Sequence, residues 1–410
     1  MKVGIFVYFI PIGKSGGVQR YSEQLISALG KYSNIEVVVF CAPQNKEIFL
    51  PYAADKVSII VLPKRCKYLR VLTNNRYLRQ SPFFSALTKK IFYNRYSARI
   101  MDWLGDYKHM IEKKVDVIHF PYQVLDRYDF SIPTLITLHD LQQKYFPEFF
   151  TKDEIKERDT YFKKSAELCT RVIVSFEHVK KDIVNFYGIS PKKIDVCSLG
   201  YDIGPSMDTA KFPEILKKYN IPEEYLFYSA LTWKHKNHIN LIRALKLLHN
   251  KYNKKIHLIC TGAKSDFYPT IKSEIEKLGL EEYIIFTDFL PEEEFLVLLK
   301  KARLVVVPTL YEAGSYPLME AMVYNVPVIC SNVTSLPEQI GDERFIFDPH
   351  NIAQMADKMY QMITGETLRA ENIENSKQQI KKLEWRNRII DFIGSYGQSL
   401  EDFKIKKIII

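Results

Sequence analysis

Short apolar runs alternate with amphipathic stretches along most of the chain, and the alternation occurs in two successive series. Short apolar runs bounded by turns are typical of buried parallel strands, and a 3.6-residue periodicity is typical of connecting helices. Strands are predicted in the first series at 2–9, 36–40, 57–61, 115–119, 134–138, 171–175 and 193–197, and in the second at 225–230, 255–260, 284–286, 304–308 and 326–330. The pattern predicts an α/β protein with two Rossmann-like, doubly wound parallel sheets and ligands at the carboxyl ends of their strands.

The predicted hinge lies at 199–211, where Gly, Pro and Ser occur without periodicity. We therefore predict an N-terminal domain at 1–204, a C-terminal domain at 205–383 and a terminal segment at 384–410. A chain of 410 residues that is 47% hydrophobic is long enough for two cores. We expect a cytoplasmic protein, because its six cysteines are scattered and neither a bilayer-spanning run nor a signal peptide is recognisable.

The net charge of +10 is concentrated in a predicted insertion at 63–113. Between residues 64 and 114, thirteen Lys and Arg stand against three Asp and Glu, and aromatic residues are interleaved with them. Such a segment favours anionic lipid headgroups or an acidic acceptor, and Lys89, Lys90 and Arg95 are its candidate contacts. Packing of the aromatic residues on their own domain is the alternative. Nucleic acid is less favoured, because no recognition motif accompanies the charge.

Two carboxylates mark the loop and helix that follow the predicted strand 304–308. The segment YEAGSYPLMEAM places Glu312 in the loop, Pro317 in the first helical turn and Glu320 one turn further on. A carboxylate can accept hydrogen bonds from both hydroxyls of a sugar diol, and the start of a helix favours an anion. Solvated loop and helix positions would also explain this spacing. The backbone N–H groups expected to face such a ligand are those of Gly314, Ser315 and Tyr316.

A cationic segment, KHKN at 234–237, lies where the strand 225–230 gives way to a predicted helix. Positive charge beside a helix N-terminus is unfavourable unless an anion lies between them, so Lys236 suggests a phosphate. A solvated lysine in a basic protein is the alternative. Gly16 and Gly17 follow the first strand, and His139 follows the strand 134–138. A tight turn and a structural histidine would explain those positions equally well.

Together these segments resemble family 4 of the retaining glycosyltransferases with the GT-B fold. EAGSYPLMEAM is similar to the family pattern EGFGLPxLEAM, GGVQRY to GGVxRY, TLHD to T-x-HD, and SNVTSLPEQIGDERFIFDP to SDxxSLPEVxGDAAxxFDP. LTWKHKN is similar to GRLxxxKG and GTLxPRKN, with the family's arginine falling at Leu231 or His235. Ser315 and Tyr316 replace a Gly-Leu pair. The resemblance covers nearly the whole chain except about 63–113.

The resemblance implies two domains that face a central cleft, with the terminal helix crossing back to the first domain. It implies that His139 faces the donor, with Asp140 orienting it or capping the next element. It further implies that Lys236 and a second cation, either His235 or Lys234, bind the two phosphates. Glu312 is expected to bind the sugar and Glu320 the ribose. Gly16 and Gly17 are expected to approach the donor diphosphate or the acceptor, and Arg20 the acceptor.

The implied reaction moves a hexose from a nucleoside diphosphate sugar to a glycan or lipid-linked glycan, with retention. No D-x-D pair is present, so we expect neither a metal nor another cofactor. The HKN and HDLQ segments resemble bacterial polysaccharide mannosyltransferases, which predicts GDP-mannose as the donor. UDP-sugars and dTDP-sugars remain alternatives, as does a catalytically silent GT-B scaffold subunit. A pyridoxal-phosphate lysine motif, which a phosphorylase would need, is not evident.

Overall fold

The computed structural model describes residues 1–10, 16–62, 107–201 and 212–409, which form two compact units. One unit comprises Met1–Gly200 with Arg388–Ile410, and the other comprises Tyr201–Asn387. Lys89, Lys90, Arg95 and most of the segment 63–113 lie outside the described residues, so their predicted role stays a prediction.

The first unit contains a seven-stranded sheet with the order β3-β2-β1-β4-β5-β6-β7, and all its neighbouring strands are parallel. The strands are β1 (Lys2–Phe6), β2 (Glu36–Cys41), β3 (Val57–Val61), β4 (Val117–Phe120), β5 (Thr134–Thr137), β6 (Arg171–Val174) and β7 (Ile194–Val196). The central strands β4, β5 and β6 are buried along their full length, as expected for a parallel sheet covered on both faces.

The helices of this unit have recognisable starts and ends. The helix Lys152–Leu168 begins with a reciprocal capping box between Thr151 and Glu154. The helix Glu177–Asp182 continues as a π-helical turn, Ile183–Tyr187, that ends at left-handed Gly188. Further helices are Gly16–Tyr32, Lys46–Phe49, Tyr107–Glu112, Gln142–Tyr145 and Trp385–Ile409.

The first helix continues through Gly30 and ends at Tyr32. A Cβ at Gly30 would lie 2.7 Å from Cγ2 of Val57. Glycine is therefore placed there by close packing against β3 and not by a turn.

The second unit contains a six-stranded sheet with the order β10-β9-β8-β11-β12-β13, again parallel throughout. Its strands are β8 (Tyr225–Ser229), β9 (His257–Thr261), β10 (Ile284–Phe286), β11 (Leu304–Val307), β12 (Val328–Ser331) and β13 (Ile346–Phe347). Its helices are Phe212–Lys218, His238–Tyr252, Tyr268–Leu278, Glu292–Lys301, Tyr316–Val323, Leu336–Ile340, Ile352–Thr364 and Glu366–Leu383.

The prediction of two doubly wound parallel sheets is confirmed. In each sheet the strand order reverses once, between β1 and β4 in the first unit and between β8 and β11 in the second. Open α/β sheets bind their ligands at the carboxyl ends of the strands beside such a reversal. The topology therefore predicts ligand sites at the loops after β8 and β11, and at those after β1 and β4.

The long charged stretch near the C-terminus is interrupted at residue 384, where the predicted terminal segment begins. Glu384 has an extended conformation and separates two helices. It forms a parallel bridge with Tyr201, whose N–H donates to the carbonyl of Leu383 at 2.8 Å. The final helix belongs to the first unit from Arg388 onward. No helix in the described part of the chain is long and apolar enough to cross a membrane.

Candidate active site

An ion pair lies at the strand-order reversal of the second sheet. Lys236 ends the 3-10 turn Lys234–Lys236 after β8, and Glu312 lies in the loop after β11. Lys236 Nζ and Glu312 Oε2 are 2.6 Å apart, with side-chain exposures of only 16% and 15%. Two residues that the sequence predicted as site residues are therefore brought together, although 76 positions separate them.

Backbone and amide hydrogen bonds fix the two loops relative to each other. The carbonyl of His235 accepts from the N–H of Leu310 at 2.7 Å. Asn237 Nδ2 donates to the carbonyls of Pro308 and Pro349 at 2.9 and 3.0 Å. Asn237 is buried and has a φ of 61°, a left-handed conformation that asparagine tolerates better than most residues. These bonds hold Lys236 beside the loop of Glu312.

Thr334 holds the backbone of Glu312 from the other side. Its hydroxyl accepts from the N–H of Glu312 at 3.0 Å and donates to the carbonyl of the same residue at 2.7 Å. Ser335 donates to that carbonyl at 3.0 Å. Thr334 has a φ of 48°, a strained conformation for a β-branched residue. Because this strained residue holds the backbone of a predicted site residue, we infer that Thr334 positions Glu312.

The polar groups of Ser315 serve the fold of the loop. Ser315 is completely buried, and its Oγ caps the helix by accepting from the N–H of Leu318 at 3.3 Å. Its N–H donates to Oε1 of Gln339 at 3.1 Å. This arrangement does not agree with the expectation that the Ser315 N–H faces a ligand. For Gly314, Tyr316 and the mostly buried Glu320, contact with a donor stays a prediction.

The charge of the cationic loop is carried by its lysines. His235 is buried, and burial together with the neighbouring Lys236 lowers its pKa to about 3. Its imidazole is therefore neutral near pH 7, which does not agree with the alternative in which His235 supplies the second positive charge. Lys234 is exposed, and its role as the second cation stays a prediction. His238, at the start of the following helix, is also buried, and its pKa is lowered to about 3 by burial and by Lys236.

In the first unit, His139 follows β5 at the carboxyl edge of the sheet. Its Nε2–H donates to the carbonyl of Pro121 at 3.1 Å, and the ring of Tyr21 meets it edge-on with 4.9 Å between centroids. Burial lowers the pKa of His139, which favours the neutral ring. Asp140 accepts from the N–H of Gln142 and from Arg158, both at 3.2 Å. Of its two predicted roles, the structure therefore supports capping the next element.

The glycine pair and Arg20 lie at the start of the helix Gly16–Tyr32. Gly16 and Gly17 are its first two residues, and Arg20 is half-buried in its second turn. A Cβ on Gly17 would meet no atom of the described residues within 4 Å, so packing against them does not require glycine there. Their predicted contacts with donor or acceptor stay predictions.

Sequence reasoning missed the residues that support the site, namely Asn237 as a bridge between loops, Thr334, Gln339 and the buried His119. Gln339 stands where the family pattern has valine, and this substitution was the one available signal. The left-handed conformations of Asn237 and Thr334 could not be predicted from the sequence. Among the described residues, no group of three His, Cys, Asp or Glu side chains is placed to hold a metal ion.

Two family profiles match the chain in succession. The profile described as "Glycosyltransferase Family 4" matches residues 15–204, and the one described as "Glycosyl transferases group 1" matches residues 208–379. The two matches correspond to the two sheets and together cover most of the chain.

Relatives at low identity are similar over most of their length. The O-antigen chain mannosyltransferase B of Escherichia coli is 25% identical over 384 residues, which cover 93% of this chain and 95% of that protein. The O-antigen chain mannosyltransferase RfbU of Salmonella typhimurium is 25% identical over 346 residues, covering 82% and 85%. The crystal structure of Anabaena HepE in complex with UDP and glucose superposes with a TM-score of 0.68 at 15% identity, covering 96% of this chain and 99% of that one.

Proposed function

The chain belongs to the GT-B glycosyltransferases of family 4, and from this premise we propose that it transfers mannose from GDP-mannose to a growing cell-surface polysaccharide. The observation that carries the proposal is the Lys236–Glu312 pair at the strand-order reversal of the second sheet. It offers a cation for a phosphate and a carboxylate for sugar hydroxyls in one place. Two relatives that are mannosyltransferases of O-antigen chains support the choice of sugar and pathway.

In the proposed reaction, the bond between the sugar C1 and the diphosphate oxygen breaks, and a bond to the acceptor oxygen forms on the same face. Because the acceptor oxygen attacks on the face that the diphosphate leaves, the configuration at C1 is retained, and the acceptor proton passes to the leaving diphosphate. Lys236 and Lys234 stabilise the negative charge that develops on the diphosphate. Glu312 binds the sugar hydroxyls, Glu320 the ribose, and His139 the donor sugar from the first unit.

In the proposed reaction Lys236 and Lys234 offset negative charge on the leaving diphosphate. We therefore propose that turnover needs no divalent metal. Lysine binds phosphate as a point charge, and two lysines on one loop suit the two phosphates of the donor. The absence of a D-x-D pair in the sequence supports this part of the proposal.

A UDP-sugar is the alternative donor. HepE, whose fold this chain shares, was crystallised with UDP and glucose. At 15% identity the likeness shows the fold alone, and the shared fold does not decide between guanine and uracil.

Calorimetric titration with GDP, UDP and dTDP, each with and without EDTA, tests the donor site. We expect GDP to bind most tightly and EDTA to leave its affinity unchanged. Release of GDP from GDP-mannose, with methyl α-mannoside as acceptor, then tests transfer. Preferred binding of UDP would replace the donor, and failure of all three nucleotides to bind would overturn the proposed function.

For the acceptor we propose a glycan or lipid-linked glycan at the inner face of a membrane. The basic and aromatic composition of segment 63–113 supports this proposal. Replacing Lys89, Lys90 and Arg95 by glutamate should abolish flotation of the protein with vesicles that contain anionic lipid. Unchanged flotation would exclude these residues as membrane contacts.

A further inference from the structure

A chain of three hydrogen bonds runs through the first unit, from the final helix to the first one. Tyr396 Oη lies 2.9 Å from His119 Nδ1, and His119 Nε2 lies 2.7 Å from Thr137 Oγ1. Thr137 Oγ1 is in turn 3.0 Å from Tyr21 Oη. The chain joins the helix Trp385–Ile409, strands β4 and β5, and the helix Gly16–Tyr32. His119 and Tyr396, which bond directly, are 277 positions apart in the sequence.

All four side chains are buried, with exposures of 2% or less. Burial and the neighbouring His139 lower the pKa of His119 to about 3, so its ring is neutral. A neutral imidazole donates through one nitrogen and accepts through the other, which permits only two consistent directions of donation along the chain. No water replaces a lost hydrogen-bond partner at such a buried site, so each hydroxyl oxygen is held beside its partners.

The chain ends at the residues that hold His139. The ring of Tyr21 meets the His139 imidazole edge-on at 4.9 Å, and Thr137 precedes His139 by two residues. The strand that carries His119 continues into Pro121, whose carbonyl accepts from His139 Nε2. The ring contact with Tyr21 and the hydrogen bond of one ring nitrogen thus come from elements that His119 and Thr137 tie together.

We infer that Tyr396 and His119 are positioning residues for His139, and that the final helix thereby takes part in catalysis. The inference rests on the proposed function for the role of His139 in donor binding. Small displacements of a reacting or binding group reduce turnover strongly. The proposed nucleotide site, at Lys236 and Glu312, belongs to the second unit, so a displacement of His139 should not affect it. Loss of the Tyr396 hydroxyl should therefore lower kcat and leave the affinity for GDP unchanged.

The test compares Tyr396→Phe with Tyr187→Phe in the full-length protein. Tyr187 is a suitable control because it is also a buried tyrosine of the first unit, with its hydroxyl bonded to Asp159 and Gln143. We expect Tyr396→Phe to lower kcat for GDP-mannose about tenfold, and Tyr187→Phe to change it less than twofold. Both variants are measured well below their unfolding temperatures, so that stability does not enter.

A double-mutant cycle with His139→Ala separates positioning from a general structural effect. If Tyr396 acts through His139, the Phe substitution should have no further effect on kcat in the His139→Ala background. An equal loss in both backgrounds would overturn the inference and leave the proposed function intact. Unchanged turnover in His139→Ala would overturn the inference and the donor-binding role of His139, while mannose transfer itself would stand.

A readout that needs no turnover uses the ring nitrogen signals of His139 in ¹⁵N-histidine-labelled protein. We expect them to shift in Tyr396→Phe and not in Tyr187→Phe. Unchanged His139 ring nitrogen signals in Tyr396→Phe would overturn the inference, even if GDP-mannose proved to be the wrong donor.

Discussion

Lys236 and Glu312 bind each other, with Nζ and Oε2 2.6 Å apart, and a donor that used both groups would have to separate them. The ammonium would exchange the carboxylate for a phosphate, and the carboxylate would exchange the ammonium for sugar hydroxyls. The pair can thus hold both side chains in place before the donor arrives. Each partner is then expected to contribute to a different part of donor recognition.

Lys236→Ala should weaken binding of GDP by about 10- to 100-fold, because a charge-assisted hydrogen bond contributes roughly 1.5–3 kcal/mol. Glu312→Gln should change GDP affinity less than about threefold, yet lower turnover of GDP-mannose at least tenfold. Calorimetry and initial rates measure the two effects. Lys251→Ala is the matched control, since Lys251 pairs with Asp357 at an exposed site. Equal effects of both site variants on GDP binding would contradict the assignment.

Thr334→Gly should lower turnover about tenfold with little change in stability. The left-handed conformation of Thr334 costs on the order of 1–3 kcal/mol, and glycine removes this strain. The gain offsets the loss of the hydrogen bonds to Glu312. Thr334→Ser keeps the hydroxyl and should keep the activity. Initial rates and thermal unfolding of the two variants check this. Full activity in the glycine variant would show that the hydroxyl does not position Glu312.

Asn237→Gly should reduce the free energy of unfolding by about 2 kcal/mol and weaken GDP binding severalfold. Glycine accepts the positive φ, so the loss isolates the two amide hydrogen bonds. Asn240→Ala is the control, because Asn240 donates to the same Pro349 carbonyl without contacting the β11 loop. Unfolding in urea and calorimetry measure both quantities. A control variant with an equally weak GDP affinity would refute the bridging role of Asn237.

The protein should lose stability as the pH falls below about 6.5. Burial lowers the pKa of His178 from 6.5 to about 4, and neither ring nitrogen has a hydrogen-bond partner among the described residues. Between these pH values the unfolded chain binds more protons than the folded one, so acid favours unfolding. His178→Phe should make the decline less steep, by up to about 1.4 kcal/mol per pH unit.

Urea unfolding of the wild type and His178→Phe at pH 7, 6, 5 and 4.5 measures this difference. The two proteins should diverge as the pH falls. A constant difference in the free energy of unfolding over this range would show that His178 does not titrate on unfolding.

The regular elements were predictable because their signals are local. The strand at 57–61 and the proline in the first turn of Tyr316–Val323 follow from apolar runs and from the missing N–H of proline. Two site residues, Lys236 and Glu312, could be placed at one edge of a sheet because parallel strands end together. The bridge that accompanies the break at Glu384 could not be predicted, since it involves a distant partner, Tyr201.

The supporting residues of the site were not predictable for the same reason. The bond between Gln339 and Ser315 and the two bonds of His119 form between elements far apart in sequence. No local periodicity encodes them. Burial also changed the chemistry of His235, whose neutral ring depends on packing that composition does not reveal. Sequence patterns thus indicated which loops form the site, and packing determined which atoms remain available.

The first unit is completed by residues 388–410, which follow the whole second unit in the sequence. Domains that are contiguous in sequence can fold in order as they leave the ribosome, but this unit must wait until the whole second unit has been translated. A chain terminated before Tyr396 would keep the Lys236–Glu312 pair and lack the partner of His119. Translation must therefore pass Tyr396 before both units have all their parts, so chains terminated earlier should bind nucleotide and be inactive.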